Sequence, residues 1–387
     1  MTEFADLGLS DAVVDALAAK GINSPFPIQE LTIADALKGR DVCGKAKTGS
    51  GKTLAFGLPT LERVGKAKPG KPLSLALVPT RELAVQVCDE LAPMGAVLDR
   101  TVCAIYGGAP MEGQIKQLAK GVDLVVATPG RMIDLIERKE IDVSSLEIVI
   151  VDEADRMADM GFLPQVEWIL RQVDRNHQTL LFSATLDGVV NTLIKRYQSD
   201  PVMHEVESDE VTVEEMLHRF VSVHQMDKAK VAASIARGAS RTIMFTRTKH
   251  GADRLAQALD DEGVRAAAIH GDLRQRNRER ALSDFGEGKL AVMVATDVAA
   301  RGIHVDQVDI VVHYDPPQDH KTYLHRSGRT ARAGSSGIVV TLSLWDQELE
   351  VKRLMKRVGI EQPIVEMFSN DDRLGDLSGY DPEALAS

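Results

Sequence analysis

Short apolar runs alternate along this chain with longer stretches in which apolar residues recur at helical spacing. In the first half, Asp41-Val42-Cys43 is a short apolar run, and Leu73–Pro79, Val102–Tyr106, Asp123–Thr128, Leu146–Asp152 and Thr179–Ser183 read as strands. Leu146–Val151 is apolar apart from Glu147, the pattern of a strand buried on both faces. Intervening segments such as Arg81–Leu91 carry helical periodicity. This alternation predicts a parallel sheet with helices on both faces. It breaks near Pro201, where Glu205-Val206-Glu207-Ser208-Asp209-Glu210 is acidic and poor in core-forming residues. It then restarts with Phe220–His224, Thr242–Phe245, Ala266–Ile269, Ala291–Ala295, Ile310–His313 and Ile338–Leu342. The pattern predicts two α/β domains, residues 1–204 and 216–368, joined by a linker at 205–215. The acidic end, residues 369–387, has few large apolar side chains and is expected to be poorly ordered or loosely docked.

Composition narrows this picture. A chain of 387 residues with 44% hydrophobic content suits two sizeable cores. Cys43, Cys88 and Cys103 have no metal-binding or disulfide spacing and read as small core residues in a reducing interior. No apolar run approaches the ~18 residues of a membrane span, and Met1-Thr2-Glu3-Phe4-Ala5-Asp6 has no targeting character. A cytoplasmic monomer is expected. The net charge of −11 argues against gripping nucleic acid through bulk charge. A local groove of backbone amides, hydroxyls and a few arginines stays open to it.

Two segments carry chemistry outright. Ala46-Lys47-Thr48-Gly49-Ser50-Gly51-Lys52-Thr53 follows the first apolar run and precedes a helix-prone stretch. Glycines in such a turn let backbone N–H groups converge on phosphate oxygens, and the helix N-terminus adds its positive end. Thr48, Gly49, Ser50 and Gly51 would cradle the phosphates, Lys52 would reach the β/γ-phosphates, and Thr53 would ligate Mg²⁺. The strict pattern has Gly where this chain has Ala46. The second segment is the buried run ending in Asp152-Glu153-Ala154-Asp155. Carboxylates at such a strand end complete a P-loop ATPase site: Asp152 holds Mg²⁺ through water, and Glu153 orients and deprotonates the attacking water.

With these residues the chain resembles the DEAD-box family of ATP-dependent RNA helicases, and the resemblance runs in order along about 360 residues. It implies two tandem RecA-like domains, each a mostly parallel sheet with helices on both faces. It implies ATP and Mg²⁺ as ligands and RNA as partner, bound largely without regard to sequence. Gly21-Ile22-Asn23-Ser24-Pro25-Phe26-Pro27-Ile28-Gln29 resembles the adenine-reading segment, with Gln29 on the adenine edge and Phe4 stacking on the ring. The family has Thr where this chain has Phe26. Pro79, Thr80 and Arg81, with Gly108 and with Thr128 and Arg131, match segments lining one RNA strand. Ser183 and Thr185 match a segment coupling the ATP site to domain closure.

In the second half, Thr246, Arg247, Gly271 and Thr296 match RNA contacts, and Asp297 a carboxylate reaching the ribose or the other domain. Arg301 matches an interdomain tie, and His325 and Arg326 match residues bridging to the Asp-Glu-Ala-Asp loop. Arg329 and Arg332 match arginine fingers that neutralise charge on the transferred phosphoryl group. The family has Asp at His304, Ile at Ser327 and Gly at Ala331. The resemblance implies RNA-stimulated ATP hydrolysis coupled to domain closure, strand bending and local, non-processive unwinding. Two rival readings are a DNA translocase of the same superfamily and an ATP-gated RNA clamp.

Overall fold

The computed structural model describes residues 2–47, 49–186, 188–206, 216–300, 308–330 and 337–379, and the side chains of all of these except 275, 298 and 300. The chain divides into two compact units, Met1–Ser208 and Asp209–Ser387.

The first unit is built on β1 (Val42–Lys45), β2 (Ser74–Leu77), β3 (Val102–Ile105), β4 (Leu124–Ala127), β5 (Ile148–Asp152), β6 (Gln178–Ser183) and β7 (Val202–Glu205). Their order is β3-β4-β2-β5-β6-β1-β7, with every pairing parallel. Because side chains alternate across a strand, β5 sends Ile148 and Ile150 into one core and Val149 and Val151 into another. The first core also takes in Ile28, Phe56 and Phe182, and the second Cys43, Met157 and Ile169. Burial pushes the Cys43 and Cys103 thiols up to about 12, so they behave as small apolar side chains.

The second unit is built on β8 (Leu217–Ser222), β9 (Thr242–Thr246), β10 (Ala266–Ile269), β11 (Val292–Thr296), β12 (Ile310–His313), β13 (Ile338–Ser343) and β14 (Ile364–Glu366). Their order is β10-β11-β9-β12-β13-β8-β14, again all parallel. Both sheets are covered by helices on their two faces, as the alternation required.

Two boundaries differ from the sequence reading. Glu205 is not linker: it closes β7, pairs in register with Lys45 and forms an ion pair with it. Val206 packs against the first core. This edge strand alternates half-buried and exposed residues, so its apolar signal is too weak to read alone. Residues 207–215 lie outside the described residues. The acidic end is docked as far as Leu377: Leu374 and Leu377 are buried in the second unit's core, and Arg219 Nε donates to the Leu377 carbonyl at 2.9 Å. Two leucines and one buried guanidinium outweigh the acidic composition there. Among the described residues, no helix is long and apolar enough to cross a membrane.

Candidate functional site

Parallel strands deliver their C-terminal ends to one edge of the sheet, so adjacent strands bring distant segments together. In the first unit, neighbouring β5, β6 and β1 end at Asp152, Ser183 and the glycine turn respectively. Neighbouring β3, β4 and β2 lead into Gly108, Thr128 and Thr80.

The glycine turn has the backbone its residues predict. Gly49 and Gly51 adopt φ of +83° and +84°, the left-handed region that other residues pay strain to enter. Ala46 at the first position is accommodated: it is buried, and its N–H donates to the Ser183 carbonyl at 3.0 Å. The Ser50 hydroxyl donates to the Lys47 carbonyl at 2.7 Å, closing the turn. Lys52 opens the helix Lys52–Arg63, is buried, and spans the turn through Nζ donating to the Ala46 carbonyl at 3.0 Å. Thr48 lies outside the described residues.

Gln29 is buried against this turn. Its Nε2 donates to the Gly51 carbonyl at 2.8 Å and its Oε1 accepts from the Phe26 N–H at 2.9 Å. The amide therefore fixes the turn, and its second hydrogen and second lone pair are what remain for an adenine edge. Phe4 departs from expectation. Its ring is buried in the first core rather than presented to a ligand, because the one-turn helix Phe4–Leu7 rolls it inward with Leu7.

Asp152 and Glu153 sit at the end of β5, both buried. Burial pushes the Asp152 carboxyl up to about 7; the neighbouring Lys52 ammonium opposes this shift and Glu153 adds to it. A cation would favour its charged form. The Asp152 Oδ1 accepts the Glu153 N–H at 2.9 Å, and Glu153 is bent into φ +51°, a strained conformation for a residue with a Cβ. Arg156 Nη1 donates to Glu153 Oε2 at 2.5 Å. Burial raises the Glu90 carboxyl above its ordinary range, and the nearby Thr53 hydroxyl opposes that shift. Among the described residues, no group of three His, Cys, Asp or Glu side chains could hold a metal ion. One carboxylate plus one hydroxyl suits Mg²⁺, which takes few protein ligands and completes its shell with water and substrate phosphates.

The third member of this edge is joined to the second. The Asp155 N–H donates to the Ser183 hydroxyl at 3.1 Å, and the Asp155 carboxylate accepts the Thr185 N–H at 3.2 Å. Movement in one loop therefore strains the other.

Across the sheet, Thr80 caps the helix Arg81–Val97 by accepting the Leu83 N–H at 3.3 Å. Arg81 is exposed and lies over Gly108, where an added Cβ would fall 2.2 Å from its Nη1. Arg131 is placed differently from expectation. Its side chain is buried, its Nη1 donates to Gln114 Oε1 at 2.9 Å, and both Nη atoms reach the Ala109 carbonyl. It props up the Gly108 loop from below. Thr128 is half-buried at the start of the helix Pro129–Glu137.

In the second unit, Thr246 and Thr296 end paired strands and are both buried. Thr246 is tied inward, its hydroxyl donating to the Thr248 carbonyl at 3.3 Å, while Arg247 and Gly271 are exposed. Asp297 and Arg326 depart from the expectation that they reach outward: they bind each other through two bonds of 2.6 and 2.9 Å. Arg326 is buried, donates also to the Asp315 carbonyl at 2.8 Å and lies over the Phe245 ring. His325 is exposed and Arg329 half-buried on the same stretch. Arg301, His304, Ala331 and Arg332 lie outside the described residues.

The sequence reading missed Arg156 and Glu90. Arg156 was within reach, since an acid followed three residues later by a base on a helix is a pairing signal. Glu90 carried none, because helix packing alone brings it to Thr53.

Residues 26–193 match the DEAD/DEAH box helicase family model, and residues 227–334 match the helicase conserved C-terminal domain. The chain is 41% identical over 367 residues to the DEAD-box ATP-dependent RNA helicase CshA of Geobacillus kaustophilus, covering 92% of this chain and 78% of that one. It is 40% identical over 365 residues to the mitochondrial DEAD-box ATP-dependent RNA helicase 9 of Arabidopsis thaliana. There it covers 92% of this chain but 59% of the relative, so it spans about three fifths of that protein. Among solved structures, S. cerevisiae Dbp5 bound to RNA and ADP BeF3 superposes with a TM-score of 0.82 at 29% identity, covering 97% of this chain and 98% of that one. The chain belongs to the DEAD-box family of ATP-dependent RNA helicases.

Proposed function

We propose that this chain hydrolyses ATP to ADP and phosphate under stimulation by RNA, and that the cycle opens short RNA duplexes locally. The observation that carries the reading is the order of strand ends in the first unit. Three neighbouring strands present the phosphate turn, the carboxylates and Ser183, while the next three present Thr80, Gly108 and Thr128. Nucleotide chemistry and backbone-binding groups are thus adjacent on one rigid edge.

In this mechanism Gly49, Ser50 and Gly51 bind the triphosphate through backbone N–H groups, and Lys52 moves from the Ala46 carbonyl to phosphate oxygens. Gln29 holds the turn and reads the base. Thr53 and, through water, Asp152 would hold Mg²⁺, which would supply positive charge to the triphosphate. Glu153 takes a proton from the attacking water as its oxygen bonds to the γ-phosphorus and the bond to the β-bridging oxygen breaks. Arg329 and Arg332 supply positive charge to the γ-phosphoryl oxygens, which ties hydrolysis to closure of the two units. Thr80, Arg81, Gly108, Arg247, Gly271 and Thr296 hold one RNA strand through its backbone, so recognition is largely independent of sequence. Ser183 and Asp155 couple the two halves of the edge.

The test is ATPase activity with and without single-stranded RNA, with DNA as control, beside unwinding of a short RNA duplex. RNA is expected to raise turnover well above DNA. Stimulation by double-stranded DNA instead defeats the RNA reading, and RNA-stimulated turnover without strand separation reduces the protein to a clamp. Replacing Arg329 should lower turnover about 10³-fold with RNA affinity retained. Lost RNA affinity with unchanged single-turnover hydrolysis would make it a binding residue.

A further inference from the structure

Phe26 breaks two local rules at once. It is the residue preceding the helix Pro27–Leu37, a position where Ser, Thr, Asp or Asn would cap the first turn, and a phenyl ring cannot accept a hydrogen bond. It also leaves a large apolar side chain 57% exposed, although Ile28 beside it is fully buried. Rules broken together without local gain point to a functional site.

The surroundings of the ring say what that site binds. A Cβ added at Gly51 would lie 2.6 Å from Phe26 Cδ2 and 2.4 Å from Gln29 Nε2, so the ring and the amide both press on the last glycine of the phosphate turn. The Phe26 N–H is also the group that orients Gln29. The ring thus forms the rim of the turn on its Gln29 side, held on one side by Gly51 and open to solvent elsewhere. Phe4, the aromatic residue expected to stack on the base, is 2% exposed and packed in the core.

We propose that Phe26 is a stacking surface for the nucleobase of the bound nucleotide. The proposal rests on the reading of the glycine turn as a nucleotide site. A ligand whose phosphates occupy the turn must lead its nucleoside away over the rim, and Phe26 is the apolar face available there. Stacking on a phenyl ring is base-tolerant, because every base has a π-face. Phe26 therefore adds affinity for any nucleoside triphosphate, and discrimination between bases falls to Gln29.

The test measures equilibrium affinity of the full chain for Mg²⁺-ATP, Mg²⁺-GTP and inorganic tripolyphosphate, for the native protein and for Phe26→Ala, Phe26→Thr and Phe26→Tyr, with melting temperatures alongside. Phe26→Ala is expected to weaken ATP and GTP by the same factor, about 10-fold, and to leave tripolyphosphate within about twofold. Phe26→Tyr should hold both nucleotides near native affinity. Phe26→Thr restores a capping hydroxyl, so it should fold at least as well as the native chain and still lose nucleotide affinity. Unchanged ATP affinity in Phe26→Thr overturns the proposal. So does an equal loss for tripolyphosphate and ATP, which would mean that the ring only shapes the turn. A native chain that binds tripolyphosphate but gains nothing from the nucleoside also overturns it while sparing the phosphate site. A native chain that binds neither defeats the nucleotide reading itself.

Discussion

The two units are one design used twice, and they differ where it matters for chemistry. Adding seven to each strand label turns the first sheet's order into the second's. Each unit follows its sixth strand position, β1 or β8, with a helix opened by a buried lysine, Lys52 or Lys228. Each lysine faces an aspartate delivered by the fourth strand position: Asp152 at the end of β5, and Asp315 just beyond β12. In the first unit the turn before the lysine contains Gly49 and Gly51 in left-handed backbone, a geometry that lets successive N–H groups converge on an anion. In the second unit the same stretch is Val223-His224-Gln225-Met226-Asp227, with no glycine. There Asp227 accepts the Ser369 N–H at 2.7 Å and its hydroxyl at 2.8 Å, and Lys228 pairs with Asp315 at 3.7 Å over the Tyr314 ring. Burial lowers the Lys228 ammonium's affinity for its proton, and Asp315 opposes that shift. The topology supplies a lysine and an aspartate in both units, and the units differ in the glycines of the turn before the lysine.

The carboxylates of the first unit carry the largest expected effect. Glu153→Gln keeps the shape of the strand end and removes the base, so single-turnover hydrolysis should fall about 10³-fold or more with ATP affinity retained. Equal turnover would remove Glu153 from the chemistry.

The lysines provide the direct contrast. Lys52→Ala should abolish measurable ATP binding. Lys228→Ala should leave ATP affinity within about twofold and destabilise the chain by about 1–2 kcal/mol, since it strands a partly buried Asp315. ATP affinity lost in Lys228→Ala would mean that the second unit's slot is not sealed.

Gly51→Ala sharpens the role of glycine. A Cβ there collides with Gln29 and Phe26 and forces a left-handed alanine, so ATP affinity should fall at least 10-fold. Gly263→Ala, at φ +79° with nothing near its Cβ, should cost about 1 kcal/mol of stability and no affinity.

The smallest effect is in pH. His313, buried under Tyr323 and beside Arg326, is held neutral, its pKa well below the ordinary value. The unfolded chain takes up this proton as pH falls through about 6.5 and the folded chain does not, so stability declines below that pH by up to about 1.4 kcal/mol per unit. Above pH 7 this group contributes no slope. Denaturant midpoints between pH 5 and 8 should show the decline in the native chain and a flatter line in His313→Phe.

Much of this was legible from residue order. Strand positions such as Leu146–Asp152 and Ile310–His313 were visible because a strand buried on both faces must be apolar along its length. The glycine turn and the carboxylates were visible because few backbones and few charges are tolerated where they occur. β7 and β14 were not, being short and half-exposed at the sheet edges. Phe4 read as a ligand-facing ring by resemblance and proved a core residue. Arg131 and Arg326 read as outward-facing charges and proved to be internal props, because spacing along a chain does not say which carbonyl or carboxylate lies across the fold.

Sequence by itself determined the two-fold α/β architecture, the position of the phosphate turn and the identity of the acid that ends β5. These are local matters of periodicity, permitted φ and buried charge. Tertiary structure alone decided which charges meet. It gave Asp297 to Arg326, it sealed Lys228 against Asp315, and it set Phe26 on the rim of the turn. Those pairings join segments up to about ninety residues apart, and only the crossing of strands in a finished sheet brings them within bonding distance.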